Sequence, residues 1–335
     1  MNLKAASLLA LTMLAIIPLY ADDGAASIAA GGLVVMGHEP RIVMAREVLQ
    51  ISTRKVIVDY DFRNDSDKDI TTEVAFPIPD YELDNENYTI KEQGFDDFKL
   101  WIDGNPAQFQ TEARAFLKNK EFTQLLRSMN VDIASFGHAN TTDYLSPDIK
   151  RLTPAQRMQL EEAGLLDHNY RKPNWQVQKK YYWKQTFPAH KSVHIKHIYS
   201  PCVGSENTIK YELGPEAEAD GNNGEWLKSF CMDSRLFATL QKIANSKDND
   251  APYLYVDFIL TTANTWKTPI EDFTLIVERP HLKFPTQHSS VNYVSFCWDG
   301  PIEKIDPDHF LAHAVNFVPQ KELRIGFFVV DKSAF

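Results

Sequence analysis

The sequence predicts a mainly β protein with helical additions: an antiparallel β-sandwich interrupted by a helical insertion and followed by a C-terminal helix and strand-rich region. Three observations lead there. Short runs such as VIVDYDF, from Val56 to Phe62, alternate apolar and polar residues with the period of two of a half-buried strand. Turn-forming clusters separate these runs at short intervals, the spacing of a sandwich. The period then changes to that of a helix through the middle of the chain, with Phe122, Leu125, Leu126 and Met129 at i, i+3, i+4 and i+7.

The chain has 335 residues, 44% of them hydrophobic and 24% charged, which is the composition of a folded globular protein. Its 35 Lys and Arg stand against 45 Asp and Glu, a formal charge of −10, and no basic block offsets that balance. Nucleic-acid binding needs a clustered basic surface for phosphate and is excluded.

Taken in order, the first element is a leader. Lys4 precedes an apolar run from Ala5 to Ala21, broken only by Ser7 and Thr12, and Asp22, Asp23 and Gly24 follow at once. A positive start, a short apolar stretch, Pro18 near its end and a small residue at Ala21 are the pattern of a secretory signal peptide cleaved between Ala21 and Asp22. The expectation is therefore a periplasmic or secreted protein, with no transmembrane segment after residue 21.

In the strands, Val56, Val58, Tyr60 and Phe62 share one face, and Ile57, Asp59 and Asp61 the other. The turn-rich NDSDKD, from Asn64 to Asp69, leads to ITTEVAFPIPD, so the two runs read as an antiparallel hairpin. Asp65, Asp67 and Asp69 have the spacing of a calcium loop, but its sixth and twelfth positions hold Ile70 and Phe76 where Gly and Glu are required, so a solvated turn is the better reading. A third strand, FKLWIDGNPAQFQ, turns at Asp103-Gly104-Asn105-Pro106.

Residues 22–111 with 174–204 make a discontinuous sandwich, and 112–173 the helical insertion. Within the insertion Thr153 is an N-cap, Pro154 takes the first helical position, Gln156 completes a capping box and Gly164 ends the helix. Strands resume with Trp175, Val177, Tyr181 and Trp183 on one face beside Lys179, then Val193, Ile195 and His197 alternating with His194, Lys196 and Ile198. Residues 205–335 comprise an acidic loop from Glu212 to Glu225, a helix capped near Asp233 with Leu236, Phe237, Leu240 and Ile243 on its apolar face, and strands that pack on or continue the sandwich.

Cys202, Cys231 and Cys297 are widely spaced with no CxxC and no Cys/His quartet, so no zinc site is expected. In an oxidising compartment three cysteines allow one intrachain bridge, or all three are small buried hydrophobes.

The start DDGAASIAAGGL, the stretch FRNDSDKDITTEVAFPIPD, the runs YYWKQTFPA and HIYSPCVG, and the later FCMD and VSFCWDG resemble a family of exported bacterial proteins known as a domain of unknown function. The resemblance covers essentially the whole chain after the leader. Because the cysteines of FCMD and VSFC recur in that pattern, it implies a Cys231–Cys297 disulfide and leaves Cys202 over. More distantly, FRNDSDKDITTEVAFPIPD, WIDGNPAQF and FPAHKSVHIKHIYS resemble the β-sandwich domain of vault proteins and inter-alpha-trypsin inhibitors, over the β parts of the first two thirds.

Motifs that carry chemistry are absent: there is no GxSxG, HExxH, P-loop or GxGxxG. His190, His194 and His197 are the densest histidine cluster, but His194 and His197 point to opposite faces of a strand and cannot chelate one ion. No metal and no cofactor is expected. The candidate binding residues are Trp175, Tyr181 and Trp183, with His197 and Tyr199 on the next strand. They form either a platform for sugar rings or an apolar partner, or the inner face of the sandwich, and core packing is the better reading. The expected function is an exported, non-catalytic binding or scaffolding protein of the bacterial envelope, its partner an envelope protein or glycan. The alternative is a periplasmic or secreted hydrolase, with or without a metal, acting on a polysaccharide, ester or peptide.

Overall fold

A computed structural model describes residues 24–29, 33–82, 97–134, 147–167, 173–206, 208–215, 217, 224–246, 250–282 and 290–331. The leader with its Ala21–Asp22 cleavage site, most of the linker GHANTTDYLSP and much of the acidic loop lie outside the described residues.

The alternation in Val56–Asn64 is realised as read: Val56, Val58, Tyr60 and Phe62 are buried, while Ile57, Asp59 and Asp61 are half-exposed. Among the described residues the strands form three sheets. The first runs Lys120–Glu121, Gln110–Leu117, Gln176–Phe187, Ile70–Pro77, Gly24–Ala29, Leu33–Met36, with Tyr81–Glu82 also paired to Gln176–Phe187. The second runs Ile302–Lys304, His309–Phe317, Ile270–Glu278, Ile42–Ile51, Val56–Asn64, Ser192–Tyr199, Lys99–Ile102, Asn105–Pro106. The third runs Gly204–Glu206, Tyr253–Phe258, Leu323–Asp331, Ser290–Phe296.

The inner faces of the first two sheets meet in one core, where Phe62 lies edge-on to Phe187 at 5.7 Å and Phe76 to Tyr199 at 5.5 Å. The third sheet gives one face to the same core through Val256, Phe258, Ile325 and Phe327. Its other face, with Tyr253, Phe328 and Val330, is covered by Phe230 and by Leu236, Leu240 and Ile243 of the helix Ser234–Ala244. That helix begins at Asp233, whose carboxylate accepts from Leu236 N at 2.7 Å, so the cap is where the sequence put it, and of the expected apolar face Leu236, Leu240 and Ile243 are buried while Phe237 is half-exposed.

Two expectations need correction. The runs 56–64 and 70–77 do not pair as a hairpin: they lie in different sheets, and the turn between them is an arch across the sandwich. A second arch, Phe187 to Ser192, stacks beside it, because Val56–Asn64 pairs with Ser192–Tyr199 and Ile70–Pro77 with Gln176–Phe187. Buried Asn64 ties the two: its amide donates to the carbonyls of Lys68 and Phe187, both at 2.8 Å, and its oxygen accepts from Ser66 N. Asp69 accepts from Ala189 N at 2.8 Å, and Asp67 meets His190 Nε2 at 2.8 Å. Asp67 and Asp69 thus fasten one arch to the other, while Asp65 pairs with Arg63.

The helical pattern also starts later than Glu112. Gln110–Leu117 is a strand in register with Gln176–Phe187, and the short helix Thr123–Ser128 follows. The composition of TEARAFLK favours a helix locally, but an open sheet edge supplies ladder hydrogen bonds and overrides a weak propensity. Thr123 Oγ1 accepts from Ala115 N, and Arg127 donates to Ala113 O, both at 3.1 Å, so the helix covers that strand's outer edge. Thr153, Pro154 and Gln156 form the expected capping box, and Gly164 takes φ +74 after the helix Pro154–Glu162.

The C-terminal strands divide between the second and third sheets. Ile270–Glu278 enters the second sheet beside Ile42–Ile51 in parallel register, a pairing whose two partners are far apart in sequence.

Candidate functional site

Where strand Gln110–Leu117 turns into Lys120–Glu121, Lys118 and Asn119 adopt left-handed backbone, φ 48 and 65, the geometry of a tight turn matched to the sheet's twist. Opposite lies the entry to strand Gln176–Phe187, in register through Gln176 and Phe116. The turn 116–119 and the segment 173–176 together line a cleft of about 340 Å³.

Both walls are held. Asn174 donates from its backbone to Leu165 O at 2.9 Å and from its side chain to Gly164 O at 3.1 Å. The indole of Trp175 is buried and donates to Ile133 O at 3.3 Å. On the other wall the Arg114 guanidinium lies 4.9 Å over the Phe116 ring and makes a bidentate pair with Glu121, which holds the Glu121 carboxyl below the usual range. The lining of the cleft thus combines Asn119, Asn174, Gln176 and Lys118 with Phe116, Leu117, Pro173 and Trp175, and among the described residues it holds no carboxylate or histidine.

The five residues singled out in the sequence lie in the core. Trp175, Tyr181, Trp183, His197 and Tyr199 are each at most 5% exposed. Tyr181 stacks on Phe98 at 4.1 Å, and His197 sits among Tyr60, Phe76, Phe98 and Trp183 at 4.9–5.5 Å. Burial pushes the His197 imidazole down to about 3, so it is neutral in the folded protein. A ring enclosed on both faces offers none to a ligand from solvent, so the stacking-platform alternative does not describe these residues; Trp175 alone reaches a site, as part of the cleft lining.

The ionisable groups cluster elsewhere. On the outward face of the second sheet His194 lies between Asp61, 2.9 Å from Nδ1, and Asp59, 3.2 Å from Nε2, while Arg46 and Lys196 pair with the same two aspartates. Burial opposes ionisation of Asp61, but the hydrogen bonds from Arg46 and His194 outweigh it and hold its carboxyl below the ordinary range. On the first sheet, burial raises the Asp80 carboxyl to about 6 despite a hydrogen bond from Gln178, and lowers the Lys180 ammonium despite Glu112 at 3.9 Å. No group of three or more His, Cys, Asp or Glu that could hold a metal ion occurs among the described residues.

Cys231 and Cys297 are joined in a disulfide with Cα atoms 4.9 Å apart, fastening the helical layer to the end of strand Ser290–Phe296. Burial pushes the Cys202 thiol up to about 12. The bridge is the pairing implied by the sequence pattern, and Cys202 is the cysteine left over.

A family model described as a domain of unknown function, DUF4424, matches residues 21–325. The chain belongs to this family. The DUF4424 protein is similar to a Legionella pneumophila protein whose crystal structure is described as that of a candidate nutrient binding protein, with 15% identity, 87% of this chain and 68% of that chain covered, and a TM-score of 0.40. No curated protein matches it. No helix among the described residues of the DUF4424 protein is long and apolar enough to cross a membrane.

Sequence reasoning missed Lys118, Asn119, Asn174 and Gln176. A Lys-Asn pair between two polar-apolar alternations is a turn signal, since Asn tolerates left-handed backbone, but the helix-forming residues around it masked the strand.

Proposed function

We propose that this DUF4424 protein is an exported, non-catalytic binding protein of the bacterial envelope, and that the cleft between 116–119 and 173–176 is its recognition site. The observation that carries the reading is the lining itself: residues with side-chain amides and one ammonium beside apolar ones, on walls already held by hydrogen bonds. Groups of that kind orient a polar ligand, and a wall fixed beforehand loses little entropy on binding. The disulfide supports an oxidising compartment and so fits removal of residues 1–21 on export.

Thermal-shift and ligand-observed NMR titrations with envelope oligosaccharides and peptides test the reading. The expected result is saturable binding that the exposed-residue variant Asn119→Ala/Gln176→Ala abolishes. Binding unchanged in that variant refutes the cleft as the site. Recovery of the protein from the cytoplasm with residues 1–21 intact refutes export.

A further inference from the structure

We infer that the cleft takes a small saccharide bearing a carboxylate, an inference that rests on the binding reading above. Among the described residues Lys118 is the charged residue in the lining, and no carboxylate there pairs with it. Neighbouring Lys120 likewise has no ion pair there and lies 4.9 Å over the Phe122 ring, and Arg114 is the third cation of the same hairpin. Against a chain of formal charge −10, this end of the first sheet is a local cationic rim, opposed by Glu121, which Arg114 already holds.

The rest of the lining selects the body of the ligand. The side-chain amides of Asn119 and Gln176 each offer donors and an acceptor on one group, matching vicinal hydroxyls that donate and accept together. Phe116, Leu117 and Pro173 are the apolar members of the lining beside Trp175 and offer C–H contacts to a sugar ring. A volume of about 340 Å³ is near the lower end for small-molecule sites, which favours a short saccharide over a folded partner. The negative charge of the whole chain disfavours an extended polyanion and leaves a single carboxylate, paired with Lys118, as the charge the site accommodates.

Calorimetric titration with digalacturonate, its neutral counterpart galactobiose and triglutamate, against wild type and Lys118→Gln, tests the assignment. Digalacturonate is expected to bind about tenfold more tightly than galactobiose, and Lys118→Gln to erase that difference, the scale of one charge-assisted hydrogen bond. Equal binding of both sugars, unaffected by Lys118→Gln but lost in Asn119→Ala/Gln176→Ala, overturns the carboxylate while leaving the cleft as a binding site. Binding of triglutamate alone overturns the saccharide. If none of the three binds, the inference fails, and the wider oligosaccharide and peptide panel decides whether the binding reading fails with it.

Discussion

Replacing His197 with phenylalanine isolates the stability effect of one buried imidazole. The ring is fully buried among four aromatic side chains, and burial lowers its pKa from 6.5 to about 3. For a base whose folded pKa is depressed, the unfolded chain takes up the proton first as pH falls. Stability is therefore complete above about pH 6.5 and declines toward pH 3. At pH 5 the unfolded imidazole is almost wholly protonated and the folded one neutral, a loss of about 2 kcal/mol relative to pH 8. His197→Phe keeps an aromatic ring in an aromatic enclosure and removes the titration. Urea unfolding followed by tryptophan fluorescence at pH 5 and pH 8 measures the difference: wild type should lose about 2 kcal/mol more than the variant between the two conditions. Equal pH dependence in the two proteins refutes the reasoning, because a group that cannot titrate would then account for the same loss.

Two further outcomes follow from the fold. Removing the Cys231–Cys297 bridge, whose ends are 66 residues apart, should cost about 4 kcal/mol by loop-closure entropy, read as a lower urea midpoint in Cys231→Ser/Cys297→Ser; an unchanged midpoint rejects it. Asn64→Ala strands the buried carbonyl of Phe187 and removes the bond to the Lys68 carbonyl, and should cost about 1–3 kcal/mol, with Asn64→Asp no better because a carboxylate cannot donate; a loss under about 0.5 kcal/mol shows that the arches do not depend on that amide.

Much of the fold was legible in local pattern. The alternation at 56–62, the capping box at Thr153 and the apolar face of the helix after Asp233 reappear because each expresses a preference of adjacent residues: a two-residue pleat, an N-cap hydroxyl, a 3.6-residue turn. The segment 110–117 was not legible, since its residues suit a helix and only Gln176–Phe187 beside it makes a strand. The cleft was illegible for a related reason. Its two walls are more than fifty residues apart and meet through that same strand pairing. The aromatic face from Trp175 to Trp183 was read with the correct parity, yet parity cannot tell an inner face from an outer one, and the second sheet decides it by covering the rings.

The sequence by itself determined a mainly β chain with capped helices, an acidic composition without a basic block, and, through its family pattern, the Cys231–Cys297 pair. The tertiary structure alone decided that the turn at 64–70 is an arch, that Ile270–Glu278 joins Ile42–Ile51, and that Lys118 and Gln176 line one cleft. The division follows from range. Periodicity, capping and composition are properties of neighbouring residues, whereas the choice of which strands pair, and hence which side chains share a cleft, is settled by burying apolar faces contributed by distant parts of the chain.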